Sequence, residues 1–206
     1  MPRPFQLVDV FTEQPFLGNP LAVVHEADGL SVEDMQAITR WINFSETAFL
    51  LRPSVPEADY RVRIFTPARE LPFAGHPTLG SCRAWLDRGG RPKNAAKIVQ
   101  ECSAGRIPIQ RRDDTLAFAA PPLIRTGPVD EATLEELARV MQVDRANFVA
   151  TEWVDNGPGW VAVMLASAMP FAPSHTPPMS SSSEMRSAGN PLLRACSLTM
   201  FSLAAM

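Results

Sequence analysis

Between Pro72 and Gly90 the chain holds a helix pattern that is mostly apolar or small, with almost no charge over its first two turns. Pro77 stands where a first helical turn tolerates it, and Leu79, Cys82 and Leu86 recur along one face before Gly89-Gly90 ends the run. No Asp, Glu, Lys or Arg occurs from Gly75 to Cys82. A surface helix carries a polar stripe, so this one is expected to be central and buried.

The segments around it alternate between strand and helix patterns. Phe5 to Phe11 reads as a strand, and a turn at Gly18-Asn19-Pro20 leads to a second at Leu21 to Val24. Ser31 with Asp34 resembles a capping box, and Val32, Met35, Ile38 and Ile42 at helical spacing predict an amphipathic helix over 31–42. Strands are predicted at Thr47 to Leu51 and Tyr60 to Phe65, then at Lys97 to Cys102, Arg106 to Arg111 and Thr115 to Ala119. Pro121-Pro122 is the expected domain boundary. Beyond it, Glu131 to Met141 reads as an amphipathic helix, and Asn147 to Thr151 and Trp160 to Leu165 as strands of a second sheet that the sequence does not complete.

From Met169 the composition changes. The last 38 residues hold eight Ser, five Pro and five of the nine Met, but only three charges, Glu184, Arg186 and Arg194. The Ser180 to Ser183 run and Pro177-Pro178 read as linker, and Leu192 to Ala205 as a short apolar helix. Two readings stand: a flexible tail with a docking segment, or sequence altered by a shift of frame.

Global properties narrow the function classes. A chain of 206 residues, 46% hydrophobic and 20% charged, makes a globular core. A net charge of −3 supplies no basic face for nucleic acid. No run reaches the ~18 apolar residues that cross a bilayer, and the first residues lack a secretory pattern, so a cytoplasmic location is expected. Cys82, Cys102 and Cys196 are too few for a disulfide framework and have no zinc-ligand spacing, so they are read as reduced thiols, with no metal and no membrane partner expected.

Two short motifs carry candidate chemistry. Glu46, in Asn43-Phe44-Ser45-Glu46-Thr47, has Trp41, Ile42, Phe44 and Phe49 near it in sequence. Apolar surroundings raise a carboxyl pKa and suit it to general acid/base work, although Glu46 or Ser45 could equally satisfy backbone amides at the helix end. Gly75-His76-Pro77-Thr78-Leu79-Gly80 opens the buried helix, where unpaired N–H groups and the helix dipole attract anions. His76 is either a ligand-binding group there or a structural histidine. The glycines match neither a P-loop nor G-x-G-x-x-G, and no serine sits in a nucleophile elbow.

Three stretches together resemble the phenazine biosynthesis PhzF-like family: Leu7-Val8-Asp9-Val10-Phe11-Thr12 continuing through Phe16-Leu17-Gly18-Asn19-Pro20, then Asn43-Phe44-Ser45-Glu46-Thr47-Ala48-Phe49, and Arg63-Ile64-Phe65-Thr66-Pro67 with Pro72 to Gly80. The resemblance covers roughly residues 5 to 166. It implies an α+β, diaminopimelate epimerase-like fold, two pseudo-symmetric domains each with a sheet wrapped around a central helix. It implies a cofactor-free isomerase or epimerase acting on a small carboxylate-bearing metabolite, and a homodimer. By the same likeness Glu46 is the acid/base, and Asn19, Ser45, Gly75, His76 and Thr78 are substrate-binding positions.

The resemblance also implies a D-P-x-T-G-S-like turn in the second domain, which this sequence lacks. The expected organisation is therefore a complete first domain over 1–120, the start of a second over 121–168, and an atypical tail over 169–206. A non-catalytic binding or dimerising module is the competing expectation.

Overall fold

The structure is a computed structural model that describes residues 2–113 and 115–166 and the backbone of 197–202. The chain divides into two compact units at Pro122/Leu123.

The first unit begins with β1 (Phe5–Val10) and β2 (Asn19–Val24), followed by α1 (Val32–Ile42), β3 (Thr47–Leu51), β4 (Tyr60–Phe65) and the two-residue β5 (Glu70–Leu71). It continues through α2 (Gly75–Asp87), β6 (Lys97–Cys102), β7 (Gly105–Arg112) and β8 (Thr115–Phe118). The strands form one mixed sheet in the order β1-β2-β3-β4-β6-β7-β8, with β5 paired to β4. Two neighbour pairs are parallel, β2 with β3 and β4 with β6. A parallel pair needs a crossover, and α1 and α2 supply one each.

The capping box on α1 forms as its sequence predicts: Ser31 Oγ accepts from the Asp34 amide at 3.0 Å and Asp34 accepts from the Ser31 amide at 3.3 Å. Asn43 ends the helix in the left-handed region at φ 57°, donating its N–H to the Thr39 carbonyl. Asparagine tolerates this conformation, and it turns the chain sharply out of the helix toward Glu46.

Helix α2 packs on β1, β2 and β3 at one end of the sheet order and on β8 at the other, so the sheet curls around it. The helix is buried as expected, and of the expected inner face Cys82 is fully buried, but the two leucines are not. His76, Pro77, Thr78, Gly80, Ser81, Cys82 and Ala84 are buried, whereas Leu79 and Leu86 are only half-buried. Close approach selects the small residues. A Cβ on Gly80 would lie 2.6 Å from Leu21 Cδ2 and 2.9 Å from Val10 Cγ2, so glycine there lets helix and sheet touch.

The hydroxyls on this face find partners inside the core. Gln100, wholly buried on β6, accepts from Tyr60 Oη at 2.9 Å and from Ser81 Oγ at 3.3 Å, and donates through Nε2 to Thr78 Oγ1 at 3.1 Å. Thr78 Oγ1 donates in turn to the Ala74 carbonyl at 2.9 Å. A polar helix face is tolerated because each hydroxyl is paired.

The second unit holds β9 (Arg125–Gly127), α3 (Glu131–Met141), a 3-10 turn at Arg145–Asn147, β10 (Phe148–Asp155), β11 (Trp160–Leu165) and β12 (Ser197–Ser202). The antiparallel sheet runs β12-β11-β10-β9. Its core gathers Leu134, Leu137, Ala138 and Met141 from α3 with Trp153, Val161, Val163 and Leu165 from the strands. Strand β10 is longer than the predicted 147–151, and β12 corrects the helix expected over 192–205. The apolar run at 197–202 adds to β11, whose outer backbone groups need partners, in the register Trp160↔Ser202 to Leu165↔Ser197. The rest of the expected linker and apolar helix, with Cys196, lies outside the described residues.

Cys82 and Cys102 are free thiols, the first buried and the second half-buried. Among the described residues no helix is long and apolar enough to cross a membrane.

Candidate active site

Strand register gathers the two chemical motifs at one end of the first sheet. The parallel pairing Ala22↔Thr47 puts the starts of β2 and β3 together, and the antiparallel pairing Thr47↔Phe65 brings the end of β4 to the same edge. The chain then turns at Thr66 to Arg69, returns briefly as β5, and enters α2. The loop that carries Glu46 and the helix start that carries His76 therefore arrive side by side.

Glu46 Oε2 stands 3.5 Å from His76 Nε2, with the two side chains 13% and 7% exposed. Neither atom has a partner of hydrogen-bonding geometry, and both are shut away from solvent. Burial pushes the Glu46 carboxyl above its ordinary value, and the neighbouring Ser45 hydroxyl pulls it back to a lesser extent. Ser45 Oγ nonetheless makes no well-formed hydrogen bond, and it is buried and unpartnered, as is Thr47 Oγ1. Burial also pushes the His76 imidazole down to about 4, so at neutral pH the ring is uncharged and the 3.5 Å contact is not an ion pair. Two unpartnered polar atoms facing each other in a buried setting, with the unpartnered Ser45 and Thr47 hydroxyls on either side of Glu46 in sequence, are a high-energy arrangement, characteristic of sites that receive a ligand or water.

The start of α2 completes the locus. Its N-cap, Ala74, offers no side-chain bond, and its first turn has no acidic residue. The leading amides and the positive end of the helix dipole are thus left for an anion. Gly75 keeps this end open on one side, where a Cβ would come within 3.2 Å of Phe118 Cζ; the Phe118 ring itself packs edge-on against Phe73 at 5.5 Å between centroids.

The other expected site positions fall as follows. Ser45, Gly75 and His76 flank or form the locus. Thr78, on the same helix, is fully buried, with its hydroxyl engaged by Gln100 and the Ala74 carbonyl. Asn19 opens β2 opposite Val10, at the same end of the sheet as Glu46. Phe118, beside Gly75, has no local motif to mark it, because its place at the helix start depends on the strand order that brings β8 to α2. Two surface depressions, of about 230 and 590 Å³, lie along the side of α2 and are lined by neither Glu46 nor His76. Among the described residues no three of His, Cys, Asp and Glu gather to hold a metal ion.

A buried carboxyl faces a neutral imidazole beside an uncapped helix start, on a sheet curled around that helix, and these are groups chemically able to hold and move a proton. Comparison with known proteins gives the family. The chain matches the model of the phenazine biosynthesis-like protein family over residues 8–193 and belongs to that family. The match continues past Ala168, beyond the point at which the sequence motifs fade.

The chain is 39% identical over 172 residues to "Antisense-enhancing sequence 1" of Schizosaccharomyces pombe, covering 80% of this chain and 58% of that protein. It is 41% identical over 111 residues to the trans-2,3-dihydro-3-hydroxyanthranilate isomerase of Pseudomonas aeruginosa, covering 53% of this chain and 38% of the enzyme. The crystal structure of a Bacillus anthracis phenazine biosynthesis protein of the PhzF family superposes with a TM-score of 0.57 at 30% identity, covering 81% of this chain and 54% of that one. The chain spans about half the length of the curated relatives it matches.

Proposed function

We propose that this chain carries the proton-transfer half of an isomerase site, in which Glu46 takes a proton from a carbon of a small carboxylate-bearing metabolite and returns it to another. The observation that carries this reading is the buried Glu46–His76 pair at 3.5 Å beside the uncapped start of α2. A desolvated carboxyl exchanges protons at higher pH than a solvated one, which matches a base to work nearer neutrality. The substrate's carboxylate is held by the leading amides of α2, and neutral His76 accepts or donates one hydrogen bond without adding charge. The proton removed from carbon passes to Glu46 while the electron pair delocalises into the substrate. Reprotonation at a second carbon regenerates the carboxylate, so no oxidant or reductant is consumed. The isomerase names of the relatives support the same reaction class.

The test uses purified protein in heavy water with trans-2,3-dihydro-3-hydroxyanthranilate, the compound named in the relatives' activity. Deuterium appearing at a substrate carbon with wild type and not with Glu46→Gln supports the proposal; absence of wild-type uptake with this compound and with related carboxylates overturns it.

A second reading is a self-associating module. Strand β1 is an edge of its sheet, and Phe5 and Leu7 on it are 51% and 59% exposed. Light scattering that gives a monomer counts against it.

A further inference from the structure

We propose that Gln36 is a positioning residue for the Glu46–His76 pair, tying together the two chain segments that carry it; the proposal rests on the reading of Glu46 as the proton-transfer group. Gln36 lies in the middle of α1 and is half-buried. Its Nε2 donates two long-range hydrogen bonds, to the Thr66 carbonyl at 2.8 Å and the Pro67 carbonyl at 3.1 Å.

Those two carbonyls belong to the turn between β4 and β5. The turn is closed on itself: the Thr66 amide donates to the Arg69 carbonyl at 2.8 Å, and Thr66 Oγ1 accepts from the Ala68 and Arg69 amides at 3.2 and 3.0 Å. It therefore moves as one rigid piece. Continuing the register Thr47↔Phe65 by one position sets Glu46 beside Thr66, the residue that Gln36 holds. The same turn feeds β5 and then α2, where His76 sits. Helix α1, on the other side, delivers the chain through Asn43 to Glu46 within four residues of its last turn.

One side-chain amide thus joins the helix that delivers the base to the turn that precedes its imidazole partner. Both bonds use the donor end of the amide, so a side chain of similar length without N–H groups breaks both. Glu46 Oε2, the oxygen that faces His76, has no hydrogen bond to fix it. Its placement therefore depends on how firmly the surrounding segments are held, and displacements near 1 Å can cost on the order of a hundredfold in rate.

The experiment compares wild type with Gln36→Met, which preserves length and lack of charge, and Gln36→Leu as a second variant. Melting curves establish that each is folded. The expected result with trans-2,3-dihydro-3-hydroxyanthranilate in heavy water is a fall in kcat of about tenfold or more with KM within about twofold. NMR titration of ¹³C-labelled glutamates, with the Glu46 signal identified by its loss in Glu46→Gln, is expected to show the Glu46 carboxyl titrating lower in the folded variants, as a loosened pocket admits water. A purely structural amide lowers the melting temperature and leaves both kcat and the Glu46 titration unchanged, and that result overturns the proposal. If wild type shows no exchange, the catalytic reading fails and the titration alone decides whether Gln36 positions Glu46.

Discussion

Glu46 Oε2 and His76 Nε2 face each other at 3.5 Å, thirty residues apart in sequence, and each is pushed by burial toward its uncharged form. An acid and a base that are both disposed to be neutral can exchange a proton with a ligand without first breaking a strong ion pair. That relation sets the pH behaviour of the site and of the fold.

Activity is expected to depend on pH through Glu46. The carboxyl must be ionised to accept a proton, and its pKa lies above the ordinary 4.5 because it is buried. The acid limb of kcat/KM should therefore fall above pH 4.5, and Glu46→Gln should lower kcat on the order of a hundred- to ten-thousandfold. A pH–rate profile with its acid limb at or below 4.5 contradicts this assignment.

Stability should respond to Glu46 in the opposite sense from a surface carboxylate. Because the folded state holds the protonated acid more tightly, its contribution is present below the ordinary value and is lost as pH rises through the raised folded value. Urea unfolding of Glu46→Gln against wild type should show the variant gaining relative stability between pH 4.5 and neutrality. A constant difference across that range would mean that Glu46 titrates normally.

His76 acts at the acid end. Its imidazole falls from 6.5 to about 4 on folding, so its contribution is complete above 6.5 and is lost as pH drops through about 4. The full loss is about 3 kcal/mol. His76→Asn should flatten the urea-stability curve between pH 6.5 and 4 relative to wild type, and ¹⁵N NMR should find the wild-type ring still neutral at pH 5.

The close packing of α2 predicts unequal penalties at its glycines. Gly80→Ala forces a methyl to 2.6 Å from Leu21, inside the sheet, and should cost about 1 to 3 kcal/mol. Gly75→Ala meets only the half-buried Phe118 ring at 3.2 Å, which can turn aside, so its cost should be smaller. Denaturant titrations that rank the two the other way would show that the sheet yields at Leu21.

The polar core offers a separate test. Gln100→Leu strands the Tyr60 hydroxyl in a buried setting and removes one of two bonds from each of Thr78 and Ser81, whose hydroxyls still donate to the Ala74 and Thr78 carbonyls; it should destabilise by about 2 to 3 kcal/mol, with Tyr60→Phe costing about 1. Equal effects from the two would mean that Gln100 does not coordinate the network.

The elements most legible in the sequence were those with strong local periodicity. Helix α3 occupies the predicted 131–141, and α1 starts at its capping box. Strands β5 and β9, of two and three residues, are too short to carry a pattern. The inner face of α2 is only partly legible: of Leu79, Cys82 and Leu86, to which hydrophobicity points, Cys82 is fully buried and the two leucines are half-buried, while helix–sheet distance selects Gly80, Ser81 and Ala84. The run containing β12 looked helical because an apolar stretch alone does not distinguish helix from strand. Glu46 and His76 were each readable as candidates from local surroundings, but their pairing depends on the β3–β4 register and on a crossover, which no local pattern encodes.

The small-residue face of α2 has a consequence for how the site comes into being. Gly, Pro, Thr, Ser and Cys make up much of the first eight residues of this helix, and such a segment has little tendency to coil in isolation. Its leading amides take up their orientation only once the curled sheet has closed on it, so the proposed carboxylate site and the native structure would arise in a single cooperative event. A carboxylate bound at the proposed site would select the folded state by mass action, and a rise in melting temperature with ligand concentration would report occupancy even where turnover is too slow to follow.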